Sequence, residues 1–460
     1  MARGRTRGTL SGFKRGRAAD RFESELRAEI EEGRLAPGDL ILSISEICAR
    51  YGLKQGSVQK ALGRLAAAGY VTSRHGSGTF VSDGFRKATV RVYVSSRSPM
   101  LGFLAGCASS SEDRAELTDD RSAADVLCGP GIDTHRRGEA GGLRALDDRV
   151  RGEPSLTDSD WLPGVWERYR AGGRTYAVPI YASPIVLFYN RELFAKAKVR
   201  APGGGWRWSD LLSAVERLRS VCDTEEAGVL PFLNQFSLYV PFLVQNGTGV
   251  FSASDRCVLA ERRAMAAIAY LRRVRKASGG VVCGARAEFW DRFCSGRSAM
   301  MMWSGHTARL LEEQAPFRWG WAPLPRQRQR ATLFLSEGMS IAASSSRQDA
   351  AWSFILDCVS RSAQAYFVER HFPFGARVSG AEAFIGRHGK SYRRLLDELD
   401  VATTEHYRFP DVFPVLNREM EGFLESDKSD DSVRTQVEQA VRVIDSMIGA
   451  SRRLDEQLIA

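Results

Sequence analysis

The sequence lacks the features that would make it a membrane, metal or disulfide-stapled protein. Nowhere do eighteen apolar residues follow one another, so no membrane-spanning helix is expected. Its eight cysteines, at 48, 107, 128, 222, 257, 283, 294 and 358, include no Cys-x-x-Cys pair. Its six histidines are scattered. A structural zinc site needs clustered ligands, so no metal is expected and the thiols read as reduced and inert. The opening stretch from Met1 to Arg7 is basic, but no apolar segment follows it. A secretory signal is not expected, and the chain reads as cytoplasmic. Enzyme signatures are missing too: no Gly-x-Ser-x-Gly, no Walker loop, no Gly-x-Gly-x-x-Gly after a strand, no His-Glu-x-x-His. Gly203-Gly204-Gly205 lacks a phosphate-loop lysine, and carboxylates such as Asp125 and Glu337 lack an obvious second member. No enzyme activity and no cofactor are therefore expected.

Charge of one sign is not scarce. The net charge is +10, and its distribution is uneven. Residues 1–85 carry 14 Lys and Arg against 9 Asp and Glu, half the excess on less than a fifth of the chain. The first 17 residues hold six basic side chains and no acid. This implies an N-terminal module that meets a polyanion, behind a basic tail over 1–16.

Apolar spacing predicts the form of that module. Phe22, Leu26 and Ile30 repeat every four residues, giving a helix over 18–33 stopped by Gly33. Pro37-Gly38-Asp39 is a turn. Ser43 or Ser45 caps a short helix over Glu46–Tyr51, ended by Gly52. A third helix runs from about Gln55 to Ala68, with Val58, Ala61, Leu62 and Leu65 as its apolar stripe. Strands over Tyr70–Arg74 and Thr79–Ser82 flank a hairpin at His75-Gly76-Ser77-Gly78. Three helices and a hairpin, in that order, make a winged helix-turn-helix.

Ile47 through Leu65, Gly69-Tyr70-Val71 and Arg74 through Val81 resemble the DNA-binding domain of GntR-type transcriptional regulators, over about residues 17–83. The resemblance implies DNA contacts at Ser45, Lys54, Gln55, Ser57, Gln59 and Lys60 and at the wing residues His75 and Gly76. Lys54-Gln55 stands where the family has Ser/Thr-Arg, Gln59 where arginine is common, Ser45 where an arginine is usual, and Leu42 where proline is usual. Glutamine suits adenine and arginine suits guanine, so the operator is expected to differ from the family's common one.

A polar linker over 84–88 leads to a body over 89–460. There, strands and helices alternate, as in α/β lobes. Strands are expected at Thr89–Val94, Ala124–Cys128, Tyr176–Ile180, Ile185–Tyr189 and Ser298–Trp303. Helices are expected at Arg191–Lys196, Trp208–Arg219 and Ala264–Lys276, and another begins at Trp290. Only about thirty residues separate the first strand from Asp125, so the first lobe reads as trimmed. Trp319 and Trp321 are taken to alternate in a strand, so that at most one faces a cleft.

Six stretches resemble carbohydrate-type extracellular solute-binding proteins. They are Tyr176 through Phe194, Trp206 through Leu212, Phe293 through Trp303, Trp319 through Pro325, Leu335 through Ala342, and the helix pair Ala350–Leu356 and Ser362–Phe367. The resemblance spans about 90–455. It implies a two-lobed α/β domain like the type II periplasmic binding proteins, with ligand held between the lobes. Loops at strand ends would then supply ligand groups: Ser95–Arg97, Gly129–Gly131, Tyr181–Ser183 (lying between Pro179 and Pro184), Phe236, Trp303–His306 and Glu337. The specific candidates are Arg97, Tyr181, Ser183, Phe236, Trp303, His306 and Glu337. Aromatic faces suit sugar rings, and carboxylate, hydroxyl and guanidinium groups suit sugar hydroxyls.

Together these readings give a regulator expected to bind double-stranded operator DNA as a homodimer and to sense a small molecule such as a carbohydrate. Two alternatives stay open. One is a GntR-type helix fused to an aminotransferase-like domain using pyridoxal phosphate. That needs a Schiff-base lysine near a strand end. Beyond residue 90 the candidates are Lys196, Lys198, Lys276, Lys390 and Lys428, in polar or helical surroundings. The other is a body that only dimerises.

Overall fold

A computed structural model describes residues 15–31, 34–67, 69–74, 76–82, 89–95, 98, 100–110, 115–222, 229–230, 232–233, 236–279, 282–283, 286–370, 375–389, 391–403, 409, 411–425 and 427–459. The chain divides into two units, Met1–Thr89 and Val90–Ala460. Of the expected features, Gly33, the linker at 84–88, His75 and Arg97 lie outside the described residues, as do residues 1–14 of the basic tail.

In the first unit, helices α1 (Arg15–Glu31), α2 (Ile44–Tyr51) and α3 (Gln55–Ala67) precede strands β1 (Val71–Arg74) and β2 (Gly78–Val81). Phe22, Leu26, Ile30, Ile47, Val58, Ala61, Leu62, Leu65, Val71 and Val81 form their common core. The cap of α2 is Ser43, and Ser45 lies inside the helix. The reason is Glu46. Ser43 accepts from the Glu46 backbone N–H at 3.3 Å, and the Glu46 carboxylate accepts from the Ser43 backbone N–H at 2.8 Å. Only a serine three residues before the glutamate closes that reciprocal pair. Gly52 ends α2 in the left-handed region at φ 68°, which glycine adopts without a Cβ penalty. Arg64 ties α3 to α1 through Glu23 at 2.6 Å.

The second unit is built on one eight-stranded sheet. Its strands are β3 (Val90–Val94), β4 (Ala115–Thr118), β5 (Val126–Pro130), β6 (Val178–Asn190), β7 (Met300–Ser304), β8 (Trp319–Ala322), β9 (Thr332–Ile341) and β10 (Ala402–Thr403). The order is β7-β6-β9-β5-β3-β4, with β8 on β6 and β10 on β9. β3 is parallel to β4 and β5. β6 and β9 are antiparallel and long enough to serve both lobes. The first lobe takes β3, β4 and β5 with the C-terminal end of β9. The second takes β7 and β8 with Ile185–Asn190 of β6.

The sequence suggested two strands around a loop at Tyr181–Ser183. The structure has one strand, β6, and all thirteen of its residues are buried. Proline normally breaks a central strand because it has no N–H to donate. Here each proline sits where the ladder is interrupted. Pro179 pairs with Gly338 beside a register shift, and Pro184 is the last residue paired with β9 before β6 changes partner to β7. Glu337 likewise lies inside β9 rather than in a loop entering it. Trp319 and Trp321 are two apart in β8 and therefore share one face; both are half-buried, and the expected alternation between them is corrected. Between β3 and β5 there is a complete helix and strand, Leu101–Ser110 and β4, so the first lobe keeps this layer despite its short sequence.

Two buried charge clusters hold the first lobe together. Asp125 accepts from the Arg91 backbone N–H at 3.0 Å, from Ser345 Oγ at 2.7 Å and from Arg347 at 3.1 Å. Arg377 is 1% exposed; it donates to the carbonyls of Val359 and Ser155, pairs with Asp158, and lies 4.4 Å over the Trp161 ring.

Removing the α2 cap tests the first of these arrangements. Ser43→Ala is expected to cost about 1 kcal/mol of local stability. In hydrogen–deuterium exchange of the full chain, α2 amides should then exchange roughly fivefold faster. Unchanged exchange would show that the reciprocal pair contributes nothing.

Candidate functional site

Two places in the chain gather exposed or convergent polar groups. The first is the outward side of α3. The turn Gly52-Leu53-Lys54 delivers it, and the Lys54 carbonyl accepts from the N–H groups of Ser57 and Val58 at 2.9 and 3.2 Å. Burial of Val58, Ala61, Leu62 and Leu65 turns the other side to solvent. Lys54, Gln55, Gln59 and Lys60 are exposed and Ser57 is half-buried. Ser45 is exposed on α2. The hairpin of β1 and β2 pairs Arg74 with Gly78 and carries Gly76 at φ 74° and Gly78 at φ 117°, both glycine conformations. Gly76 is exposed at its tip. The Arg74 guanidinium covers the Phe80 ring at 4.9 Å.

The second place is the crossing of β6 and β9. Tyr181, Glu337 and Pro130 stand opposite one another on neighbouring strands, so their side chains share a face. Glu337 is 8% exposed. Its carboxylate accepts from Ser98 Oγ at 2.5 Å and from the Cys128 thiol at 3.8 Å. Burial and the adjacent carboxylate both push the Cys128 thiol well above its ordinary range, so it stays a neutral donor. Tyr181 meets the His306 ring edge-on, with centroids 5.9 Å apart. The His306 backbone N–H donates to Ser183 Oγ at 2.9 Å, and its Nδ1 lies 2.7 Å from Ser304 Oγ. Trp303, at the end of β7, leans on Phe289 at 5.4 Å. Phe236 opens the helix Phe236–Gln245 and contacts Phe413 at 5.4 Å.

The structure thus brings Tyr181, Ser183, His306 and Glu337 into one connected group, with Trp303 next to Ser304. Tyr181, Ser183, Trp303 and Glu337 sit on buried strand positions rather than in a loop, and the half-buried His306 lies in the short 3-10 turn Gly305–Thr307 that follows β7. Ser98, Cys128 and Tyr169 were not anticipated, while Ser304 falls within the expected segment Trp303–His306. Ser98 and Cys128 belong to the carboxyl ends of the parallel strands β3 and β5, where ligands of open α/β sheets collect; that rule is the signal that points to them. Tyr169 is a support. Its hydroxyl lies 2.9 Å from Ser336 Oγ and its ring lies across Gly338, where a Cβ would come within 2.6 Å of Cε1. Among the described residues, no group of three or more His, Cys, Asp or Glu side chains is placed to hold a metal ion. No helix among them is long and apolar enough to cross a membrane.

Two α/β lobes sharing two long strands, with polar and aromatic side chains where those strands cross, define the fold of a two-lobed solute-binding protein. A winged helix-turn-helix precedes it in the chain. The chain belongs to the family described as bacterial extracellular solute-binding protein, whose model matches residues 108–360, more than half its length. Residues 18–81 match the bacterial regulatory proteins of the gntR family. The first is a solute-binding and the second a DNA-binding family; neither is an aminotransferase family.

Solved structures agree on the fold. An ABC substrate-binding protein from Listeria monocytogenes in complex with cycloalternan is 16% identical, with a TM-score of 0.67 over 78% of this chain and 98% of that one. UgpB from Mycobacterium tuberculosis in complex with glycerophosphocholine is 19% identical, with a TM-score of 0.67 over 81% and 100%. The GacH receptor of Streptomyces glaucescens, solved unliganded and with acarbose, is 19% identical, with a TM-score of 0.65 over 79% and 99%. No curated protein matches the chain significantly.

The crossing yields a direct test. Gly338→Ala forces a methyl group against the fully buried Tyr169 ring and is expected to destabilise the second unit by about 1–3 kcal/mol in urea unfolding of the full chain. Tyr169→Phe, which removes only the hydroxyl, should cost about 1 kcal/mol. A cost of Gly338→Ala below about 0.5 kcal/mol would mean that ring contact at Gly338 is unimportant.

Proposed function

We propose that this chain is a ligand-responsive transcription regulator. Its winged helix binds operator DNA, its two-lobed unit binds a sugar or oligosaccharide, and each ligand changes the affinity for the other. The observation that carries this reading is the joining, in one chain, of a GntR-type DNA-binding domain to a domain of the sugar-binding-protein fold. DNA meets such a unit in the cytoplasm, and a homodimer on a two-fold operator suits a helix-turn-helix module.

In the DNA-binding unit, Lys54 and Lys60 neutralise phosphates, Ser45 and Ser57 position the module, and Gln55 and Gln59 face the major groove. Gly76 at the wing tip reaches the adjoining backbone or minor groove, and His75 is assigned the same contact from the resemblance alone. In the second unit, Trp303 and Tyr181 offer ring faces to a sugar, Glu337 and His306 accept from or donate to its hydroxyls, and Ser183 positions the His306 backbone. Phe236 and Arg97 complete the binding set. The carbohydrate assignment is supported by the aromatic and acidic groups at the crossing and by neighbours solved with cycloalternan and acarbose. The glycerophosphocholine complex of UgpB marks the other ligand class this fold holds, and the test includes it.

Binding of a ligand to the native state alone raises its melting temperature. The full chain is expected to show a saturable shift with one member of a panel of maltose, maltotriose, acarbose, mannitol and glycerophosphocholine. Trp303→Ala and Glu337→Gln should each abolish it. A shift with glycerophosphocholine alone would replace the sugar by a polar phosphodiester. No shift with any of them would overturn the sensor. On any duplex DNA, Lys54→Ala and Lys60→Ala should each lower the slope of log affinity against log salt by about 1. Unchanged slopes would remove both lysines from the interface. The factor by which sugar changes DNA affinity must equal the factor by which DNA changes sugar affinity.

A further inference from the structure

The second lobe carries a groove that shares no residue with the group at the crossing. Its volume is about 770 Å³, the size of a small-ligand site. It follows β8, which among the described residues pairs with β6 alone and leaves its other edge unpaired. Tyr189, which lines it, stands eight residues along β6 from Tyr181. In an extended strand that separates the two places by roughly 25 Å.

The groove has an aromatic wall. Trp319 and Trp321 alternate with Gly320 and Ala322, so both indoles stand on one face of β8. Both are half-buried, which leaves part of each ring open. Phe188 meets the Trp319 ring edge-on at 5.9 Å and fixes it. On the other face the Tyr189 ring lies across Gly320, where a Cβ would come within 2.6 Å of Cζ. Residues of both faces line the groove, so it wraps the free edge of the strand.

Its polar walls are balanced in charge. Arg191, Arg330 and Arg394 line it together with Glu312, Asp397 and Glu398. Glu312 accepts from the Tyr392 hydroxyl, and Glu398 pairs with Arg330. Arg394 and Asp397 are exposed and one turn apart on the helix Ser391–Asp397. Neither side chain has a hydrogen bond or ion pair among the described residues. Equal and opposite charges select no net ion. A guanidinium beside a carboxylate offers a donor and an acceptor together, which suits neighbouring sugar hydroxyls, while indole faces suit the C–H surfaces of sugar rings.

We propose that this groove is a second ligand site, for a neutral oligosaccharide. Trp319 and Trp321 stack on its rings, and Arg394 and Asp397 hydrogen-bond its hydroxyls. The site does not depend on what the crossing binds. Its walls are exposed, so it covers its ligand less completely and fills at higher concentration than the crossing.

The test is titration calorimetry of the full chain with maltotriose, cellotriose and xylotriose, carried to millimolar concentration. At least one is expected to bind in a weak, saturable phase that survives Glu337→Gln. Trp321→Ala should weaken this phase roughly tenfold or more, and Trp321→Phe, which keeps a ring, should retain most of it. Asp397→Asn alters only an exposed side chain, so a loss of roughly 3- to 10-fold there does not come from unfolding. The inference is overturned if Trp321→Ala and Asp397→Asn leave every phase unchanged. It is also overturned if no trisaccharide binds in a phase that survives Glu337→Gln, or if glycerophosphocholine fills that phase in their place. A phase lost in Trp321→Ala, from a chain in which Glu337→Gln changes nothing, would uphold the groove and remove the crossing as a sugar site.

Discussion

The second unit depends on one constraint: two strands must belong to two lobes at once. β6 and β9 run side by side through the centre of the sheet, and each changes partners along its length. A flat ladder would hold both lobes in one plane. The register shift between Glu337 and Gly338 prevents that, because a bulge adds local twist and bends the strand. Gly338 admits the Tyr169 ring at the same point, and Tyr169 in turn meets Ser336. Pro179 faces the bend from the other strand, where a missing donor is harmless. The bend is thus fixed by packing, while the residues just before it, Ser336 and Glu337, are left with polar side chains in a nearly dry place.

Those polar groups impose a second requirement. A buried carboxylate is costly unless it receives hydrogen bonds. Glu337 receives them from Ser98, beyond the end of β3, and from Cys128 in β5. Both of these donors are uncharged. Asp125 and Arg377, by contrast, are each paired with opposite charge and lie among the helices and loops of the first lobe. The lobe is held by neutralised pairs, and the crossing by a hydrogen-bonded carboxylate.

Much of this was legible in the sequence where the relevant physics is local. The stripe of Val58, Ala61, Leu62 and Leu65, the stop at Gly52 and the glycines of the wing are short-range signals, and the helices and hairpin lie where those signals put them. The choice of Ser43 over Ser45 was also available, since Glu46 stands three residues after Ser43. The crossing was harder to read. Pro179 and Pro184 look like the ends of a loop unless the partner strands are known, and the partner β9 is about 150 residues away in sequence. Ser98 and Cys128 were missed for the same reason. One follows a strand in a polar segment and the other lies in a short buried strand, and nothing local says that both meet Glu337.

The order of elements joins the two halves of the molecule. The strand that enters the second unit after Thr89 is β3, which lies between β5 and the edge strand β4. Ser98, four residues beyond its end, donates to Glu337. The chain therefore leads from the DNA-binding unit into the group of side chains at the crossing through a single strand and a short turn. A ligand can shift an equilibrium only by its differential affinity for the two states. A ligand that takes the Glu337 carboxylate competes directly with Ser98 for it, and of the groups at the crossing Ser98 lies nearest in sequence to the first unit. A ligand that reaches only Trp303 or Phe236 leaves that bond intact. In the proposed regulator, the bond between Ser98 and Glu337 is therefore the contact through which a ligand can bias the start of the second unit.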